Sequence, residues 1–480
     1  MISSVASHNT AMDQDKKAPS TVEPSNIDDV RNGQVLDGSG VTNHDAVFGK
    51  IRKDGPNYRS VGWIGTSFLM MKTQIGLGVL LFPHVFNTLG IVPGVLLLCA
   101  VGGITTWSNY IVGVFKLNHR HVYGIDDAGQ LIAGRIGKEF LAFTFIGHYT
   151  MTAGSAMLSL SIAFNALSDH GTCTAVFVAA AFILVFLLSS IRTLGQITWL
   201  SVVGVVSIVV AVMMITIAVA VQERPPEAPR DGHWESDYKL FGSPSFTDAV
   251  SAVSAIIFAY AGTGAFFPIV SEMRDPRHYT RALVICQTTI SAIYIVVGVV
   301  VYYYVGSYVS SPALGSAGTT MKKASYGVAF AGLLVSGVLL AHVSSKYIFV
   351  RALRGSRHLT QNTMVHWFTW IGCTLGVCLT AYILASAIPV FNGIVSLSGA
   401  AFGTLQSFQP MGAMWFYDNW KRPERGWKWK CGVVWSAFVI LSGTFIMIAG
   451  TYGSIVSIID SYNADGRVAA WSCADNSGSS

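Results

Sequence analysis

Long apolar runs separated by short polar connections dominate the chain after residue 58. A helix needs about 20 apolar residues to cross the hydrocarbon core of a bilayer. We interpret the runs as helices, because in lipid each segment must satisfy its own backbone hydrogen bonds and the alternating polarity of barrel strands is absent. The pattern predicts eleven spans, at about 61–83, 91–116, 140–167, 173–190, 196–221, 248–270, 282–305, 324–350, 366–387, 391–417 and 432–459.

Composition indicates the same class of protein. Hydrophobic types make up 52% of the 480 residues and charged types only 12%, whereas soluble proteins carry about 25% charged residues. The net charge is +6, but the basic residues are scattered between the apolar runs, so the charge does not indicate a nucleic-acid partner. We therefore expect an all-α polytopic protein whose surroundings are a lipid bilayer.

The distribution of Lys and Arg predicts an orientation in the membrane. Fifteen of these residues lie in connections on one side and six on the other, and the positive side is normally cytoplasmic. Residues 1–58 are polar and lack an apolar signal segment, which predicts a disordered cytoplasmic tail. Residues 59–460 then form the transmembrane domain, and residues 461–480 form a short extracellular tail.

Catalytic and metal-binding patterns are absent from the sequence. None of the seven cysteines forms a CxxC pair, so we expect no metal site and no cofactor. No HExxH motif and no paired intramembrane aspartates occur, and we expect no enzyme activity. Cys173 and Cys473 both fall on the predicted outer side, and the sequence leaves open whether they pair.

Two spans carry matching interruptions. Each contains two glycines spaced by one residue and a proline downstream, a combination that can unwind a helix at membrane depth. In the first span the interruption is formed by Thr73, Gln74, Ile75, Gly76, Leu77 and Gly78, before Pro83. In the sixth it is formed by Phe258, Ala259, Tyr260, Gly262, Thr263 and Gly264, before Pro268.

The spacing of the interruptions predicts a five-plus-five inverted repeat. Four uninterrupted spans separate them, so the repeats cover about 60–221 and 247–417, and an extra helix covers about 431–459. Half-helix N-termini favour a carboxylate, and freed carbonyls can hold an ammonium group or a cation. Two such breaks together suit a zwitterion. The alternative is that Gly and Pro are common in membrane helices and only permit close packing.

Three motifs carry a resemblance to a known family. They are GLGVLLFP in the first span, FAYAGTGAFFPIVSEMRDP at the sixth and HVSSKYIFVR in the eighth. Over roughly residues 45–460 the chain resembles the amino acid/auxin permease family of the amino acid–polyamine–cation superfamily, and most of all its fungal neutral amino acid permeases of the methyltryptophan-resistance type.

The resemblance implies a fold, an activity and a location. The fold is LeuT-like, with eleven helices, and the activity is secondary active import of neutral amino acids, usually with protons, at the plasma membrane. It also implies that the substrate carboxylate meets the backbone at Gly76, Leu77 and Gly78. The amine then meets carbonyls near Thr73, Gln74 and Ala259, while the third, sixth, eighth and tenth spans supply side-chain selectivity.

Several polar residues within the spans are candidates for ion coupling, because an intramembrane ionisable group is expensive to keep. Lys72 or Lys346 can supply a fixed ammonium in place of Na⁺, which favours protons over sodium. Ser344 and Ser345 can supply hydroxyls to a sodium site, and His148 can change its charge near neutral pH. Alternatively, the two lysines extend to the cytoplasmic interface and His148 is a packing residue.

Glu272 and Arg274 form a charged cluster at the inner end of the sixth span. We interpret the cluster as a cytoplasmic gate in which Glu272 pairs with a basic residue, and a role in proton transfer is the alternative.

No Asp, Glu or Arg lies in the middle of a span, so a charged substrate side chain has no counter-ion there. This favours neutral substrates of the tryptophan, phenylalanine or leucine type. A non-transporting amino acid receptor, a sodium-coupled transporter and a vacuolar location remain alternatives, and the sequence does not determine the oligomeric state.

Overall fold

A computed structural model covers the chain. It describes residues 61–477 apart from 192–193, 230, 232–233, 355, 360–362, 424 and 465–468, together with three short strands near the N-terminus. The prediction of a disordered tail at 1–58 otherwise falls outside the described residues and stays a prediction.

The three strands form a small antiparallel sheet in the order β1–β2–β3. Their bounds are Gln34–Val35 for β1, Thr42–Asp45 for β2 and Gly49–Lys50 for β3. They belong to a unit of residues 1–57 that is separate from the rest of the chain.

The helices of the first half begin with the interrupted segment. In chain order they are α1 (Trp63–Gln74), a 3₁₀ turn (Gly78–Leu81), α2 (Phe82–Leu89), α3 (Ile91–Asn118), α4 (Ile125–Ser168), α5 (Thr174–Ser189) and α6 (Leu194–Val221). Helix α4 is bent at Ala133–Gly134, where Gly134 has a φ of +62°. The part of α4 before the bend precedes the membrane span predicted from residue 140.

The second half repeats the interrupted opening. Its helices are α7 (Phe246–Tyr260), α8 (Thr263–Ser271), a 3₁₀ turn (Pro276–His278), α9 (Tyr279–Val305), two 3₁₀ turns (Gly306–Tyr308 and Ala313–Ser316), α10 (Thr319–Ala352), a 3₁₀ turn (Arg357–Leu359) and α11 (Met364–Ala387). The chain ends with α12 (Phe391–Ser398), a π-helix (Gly399–Gly403), α13 (Thr404–Ser407), α14 (Gln409–Asn419) and α15 (Trp427–Ala464).

Nine helical segments within the described residues are long and apolar enough to cross a membrane. The predicted fourth span is the 16-residue helix α5, which is shorter than the usual crossing length. The predicted tenth span is divided among α12, the π-helix, α13 and α14. The polytopic all-α class is confirmed, whereas the count of eleven stays a prediction.

The helices form two groups that meet at the interrupted segments. We call α4, α5, α10 and α11 the frame, because each of these four helices packs against the other three. We call α1, α2, α3, α7, α8 and α9 the bundle, since the two interrupted pairs pack with α3 and α9. Helix α6 packs on α10 of the frame and on α1 and α9 of the bundle.

The last helix, α15, lies against the bundle and the divided tenth segment. Close approaches at three glycines define this contact. A Cβ atom at Gly453 would lie 2.6 Å from Thr247 O in α7, and one at Gly393 in α12 would lie 2.6 Å from Ile458 Cγ1 in α15. One at Gly450 would lie 3.1 Å from Ala400 Cβ in the π-helix.

Candidate functional site

The first interruption lies between α1 and the 3₁₀ turn at Gly78. Helix α1 ends at Gln74, and Ile75 has extended dihedral angles of φ −75° and ψ 98°. The Ile75 amide still donates to Met71 O at 2.6 Å. Pro83 follows in the first turn of α2, where its missing amide hydrogen costs nothing. The helical hydrogen-bond ladder therefore stops for Gly76 and Leu77.

The second interruption lies between α7 and α8. Ala261 has φ −77° and ψ 36°, outside helical geometry. The amides of Ala261 and Gly262 turn back to Phe258 O at 3.1 Å and Tyr260 O at 2.8 Å. The chain then re-enters a helix at Thr263.

The two interruptions touch each other through their glycines. A Cβ atom at Gly78 would lie 2.9 Å from both Cα and Cβ of Ala259. One at Gly262 would lie 2.5 Å from Thr73 Oγ1 and 3.1 Å from Gln74 Cγ. At Gly78 the overlap includes the backbone of Ala259, so this approach requires glycine, whereas at Gly262 the overlap is with side-chain atoms of α1.

Tyr294 of α9 holds both interruptions from behind. Its single O–H is shared between two acceptors, Gln74 O at 2.9 Å and Ala259 O at 3.1 Å. The ring is fully buried and lies 4.4 Å from the Phe82 ring, centroid to centroid. Two carbonyls that the resemblance assigns to the substrate amine therefore accept from a phenol hydroxyl in this structure.

A narrow cavity of about 20 Å³ lies beside the interruptions. On this measure about 10–15 Å³ holds one water molecule, so an amino acid fits only after the walls of the cavity separate. Residues from α1, α4, α7 and α10 and from both interruptions line it, namely Lys72, Thr73, Gln74, Gly76, Leu77, Gly78, His148, Tyr149, Thr152, Phe258, Ala261, Ser336 and Leu340. The cavity lies where the bundle meets the frame.

Gln74 supplies an unpaired polar group to this cavity. Its side chain is 3% exposed, and both amide atoms, Nε2 and Oε1, lack a hydrogen-bond partner among the described residues. A buried amide without partners costs about 1–3 kcal/mol per group. Because an amide both donates and accepts, a ligand with an ammonium or a carboxylate group would remove that cost.

Lys72 joins α1 to α10 at one side of the cavity. Its ammonium donates to Ser336 Oγ at 2.7 Å and to Gly332 O at 3.1 Å, and the residue is 3% exposed. No carboxylate pairs with Lys72 in the part of the chain that the structure describes. The side chain is thus directed into the protein and not toward the membrane interface.

The two hydroxyls predicted for ion coupling, those of Ser344 and Ser345, lie elsewhere on α10. Ser344 Oγ is 3.3 Å from Thr150 Oγ1 in α4, and Ser345 Oγ donates to Ala341 O at 2.7 Å. Ser344 is eight residues beyond Ser336, which is about 12 Å along a helix. The structure therefore does not bring Ser344 or Ser345 together with Lys72.

His148 lines the cavity from α4. Its Nδ1 atom lies 3.4 Å from Ser398 Oγ, at the junction of α12 with the π-helix. The ring also lies 6.2 Å from the Phe258 ring. His148 thus contacts the sixth and tenth segments together, and π-helical turns are frequent at functional sites.

The predicted gate residues lie where α8 ends. The charges of Glu272 at the end of α8 and Lys346 in α10 attract each other, although the two side chains form no salt bridge among the described residues. Val61 donates its amide to Glu272 O at 3.4 Å, and the Arg274 amide donates to Val61 O at 2.9 Å. The Arg274 side chain is exposed. We refer to this side of the protein as the Val61 face.

Six residues predicted for the substrate site do not line the cavity. Ile75 is packed in the core, and Ala259 lies against Gly78. The others make separate contacts: Tyr260 OH with Ser291 Oγ at 2.8 Å, Gly262 with Thr73, Thr263 Oγ1 with Ser407 Oγ at 3.0 Å, and Gly264 with Gln406.

Five cavity residues were not predicted from the sequence, namely Tyr149, Thr152, Ala261, Ser336 and Leu340. The i, i+4 spacing of Ser336 and Leu340, and of His148 and Thr152, is the one available signal. This signal is weak, because many other residues of both helices have the same spacing.

Comparison with known proteins gives a consistent result. A family model described as "Transmembrane amino acid transporter protein" matches residues 59–456. A "Transmembrane transporter" of Gibberella moniliformis is 33% identical over 427 residues, covering 88% of this chain and 90% of that protein. The "N amino acid transport system protein" of Neurospora crassa is 30% identical over 424 residues, covering 87% and 89%.

Solved structures with the same arrangement of helices include two transporters of the LeuT-like fold. The inward-facing conformation of Mhp1 superposes with a TM-score of 0.53 at 11% sequence identity, covering 86% of this chain and 94% of Mhp1. MhsT in complex with L-phenylalanine superposes with a TM-score of 0.50 at 15% identity, covering 85% and 100%. At these identities the likeness concerns the fold alone.

Proposed function

The chain belongs to the transmembrane amino acid transporter family, and on that premise we propose that it imports neutral amino acids together with protons. The cavity is too narrow for an amino acid in this structure, so the substrate enters it when bundle and frame move apart. Access then alternates between the two faces as these groups move against each other. The observation that carries the proposal is the unpaired, buried Gln74 side-chain amide in a cavity that both interruptions line.

The lining of the cavity supports neutral substrates. Within the described residues it contains no Asp, Glu or Arg, and the Lys72 ammonium is already held by two oxygen atoms of α10. A charged substrate side chain would therefore enter a low-dielectric site without a counter-ion, which is costly. Phe258, Leu77 and Leu340 offer apolar contacts instead, which suit side chains of the leucine, phenylalanine and tryptophan type.

The position of Lys72 supports coupling to protons. An ammonium between α1 and α10 repels a sodium ion at the same place, and buried lysines can exchange their protons. When the proton leaves, the amine loses the charge that strengthens its bonds to Ser336 Oγ and Gly332 O. The contact between bundle and frame then weakens, which links protonation to their relative movement.

Location and orientation belong to the same proposal. The Lys and Arg distribution supports a cytoplasmic Val61 face and an extracellular C-terminus, and the family resemblance favours the plasma membrane over the vacuole.

Uptake into proteoliposomes tests this function. We expect labelled leucine or tryptophan to accumulate when an inward proton gradient is imposed, with arginine and glutamate excluded. Liposomes that contain Lys72→Met protein are the matched control for coupling. If a sodium gradient drives accumulation and a proton gradient does not, the coupling proposal is wrong. If neither gradient drives uptake although labelled substrate binds, the protein is an amino acid receptor.

A further inference from the structure

The C-terminal segment after α15 is bound across the ends of the frame helices. Residues 469–477, which we call the strap, lie on the side opposite Val61, and Cys473 forms a disulfide with Cys173 just before α5. We call this side the Cys173 face. The disulfide joins residues 300 positions apart, so it fixes the end of the chain to the middle of the first repeat.

Hydrogen bonds hold the strap to each frame helix. Asn476 Nδ2 donates to Ser161 Oγ at 3.1 Å, and its Oδ1 accepts from Asn165 Nδ2 at 2.7 Å; both partners belong to α4 and are fully buried. Thr174 Oγ1 of α5 donates to Ala474 O at 2.6 Å. The strap therefore reaches polar groups below the surface of the frame.

Contacts with the other two frame helices complete the attachment. Lys322 of α10 donates its ammonium to Ser477 O. The Trp471 amide donates to Ser386 O at 3.2 Å, and the Trp471 ring packs edge-to-face on Tyr382 of α11 at 5.4 Å. The strap thus contacts all four frame helices.

The strap connects the frame to α15, a helix that belongs to neither group and whose Tyr462 hydroxyl also donates to Ala387 O of α11. Helix α15, which precedes the strap, packs on α7 and on the divided tenth segment. The chain therefore runs from a helix packed on the bundle to a segment covalently tied to the frame. Any separation of bundle from frame on the Cys173 face changes the distance that this connection must span.

We propose that the strap limits opening of the cavity on the Cys173 face, and that its disulfide is a site of regulatory thiol–disulfide exchange. An extracellular dithiol supplies two electrons and two protons, so the Cys173–Cys473 bond becomes two thiols while the dithiol closes to its own disulfide. Without the covalent tie only hydrogen bonds and the Trp471 ring hold the strap on the frame, so α7 with α15 can move farther from the frame. The proposal rests on the proposed orientation, with the Cys173 face outside, and on no particular substrate.

A cysteine reporter in the cavity tests this proposal. Thr152→Cys places a thiol in the cavity lining, nine residues from Ser161 and about 14 Å along the helix. In intact cells a membrane-impermeant maleimide reaches position 152 only through the Cys173 face. Peptide-resolved mass spectrometry of the full chain then measures labelling at that position alone, and no transport is needed for the readout.

We expect the C173S/C473S double variant to raise the labelling rate at position 152 by roughly 5-fold or more, the lower end of usual coupling between two sites. Brief treatment with dithiothreitol, followed by washing, should have the same effect on protein with the intact disulfide and none on the double variant. Cys431→Ser is the matched control, since this free exposed cysteine lies in α15 away from the strap.

Equal labelling rates with and without the disulfide would overturn the proposal. If the double variant does not reach the membrane, the dithiothreitol treatment of folded protein decides alone. Loss of transport with a normal labelling response would contradict the proposed function and leave the strap intact as a proposal.

Discussion

Replacing Gly78 with alanine is the smallest change that tests how the two interruptions meet. The added methyl group would lie 2.9 Å from Ala259 Cα, 2.9 Å from Ala259 Cβ and 2.9 Å from Tyr294 Oη. Normal contacts between carbon atoms are about 3.5–4.0 Å. One of the three atoms is backbone, so a change of side-chain rotamer cannot relieve the overlap.

The cost follows from this geometry. Overpacking by one methyl group in a tight interior costs about 1–3 kcal/mol. Each 1.4 kcal/mol corresponds to a tenfold change in population, so the conformation in which the two interruptions touch should be populated roughly 5- to 140-fold less. We therefore expect Gly78→Ala to lower the melting temperature of the purified protein without substrate, and to reduce the maximal rate of leucine uptake into proteoliposomes.

Gly103→Ala is the matched control. Gly103 lies in the membrane helix α3, and no heavy atom lies within 4 Å of the position that its Cβ would take. Alanine there should be neutral or stabilising by up to about 1 kcal/mol, since alanine favours helices over glycine. If Gly78→Ala melts and transports like Gly103→Ala, the two interruptions do not meet as described.

Three further changes test single contacts. Lys72→Met keeps the length of the side chain and removes its charge. Proton-driven accumulation should then be lost while exchange of substrate persists. Accumulation at the wild-type level would contradict the coupling role. Tyr294→Phe removes the O–H that Gln74 O and Ala259 O share, which should cost about 1–3 kcal/mol and lower the melting temperature. An unchanged melting curve would argue against that hydrogen bond. Glu272→Gln should destabilise the protein less when Lys346→Met is also present, and a double-mutant cycle should give a coupling free energy of about 0.5–3 kcal/mol. Additive effects would refute the attraction between these two residues.

The sequence predicted the interruptions because their cause is local. Glycine pairs and the following prolines act on their own backbone, so Gly76, Gly78 and Pro83 mark the first interruption without knowledge of any neighbour. The tenth segment shows the opposite case. Its π-helix at Gly399–Gly403 also has two glycines and Pro410 downstream, but the glycines are not spaced by one residue, and an unbroken span was predicted there.

The contacts of the site depended on which helix faces meet. Lys72 was a candidate for coupling from its position alone, but its partner is Ser336 and not Ser344 or Ser345. The same limit applies to Tyr294, whose role follows from two carbonyls that come from other helices.

Sequence alone therefore determined the membrane class, the approximate spans, the paired interruptions and the family. Tertiary structure decided the cavity lining, the Tyr294 and Lys72 contacts and the pairing of Cys173 with Cys473. The physical reason is the solvent. In water, a helix buries its apolar side and shows a periodic pattern, so its inner face can be read from the sequence. In lipid both faces are apolar, and only the packed structure shows which side chains turn inward.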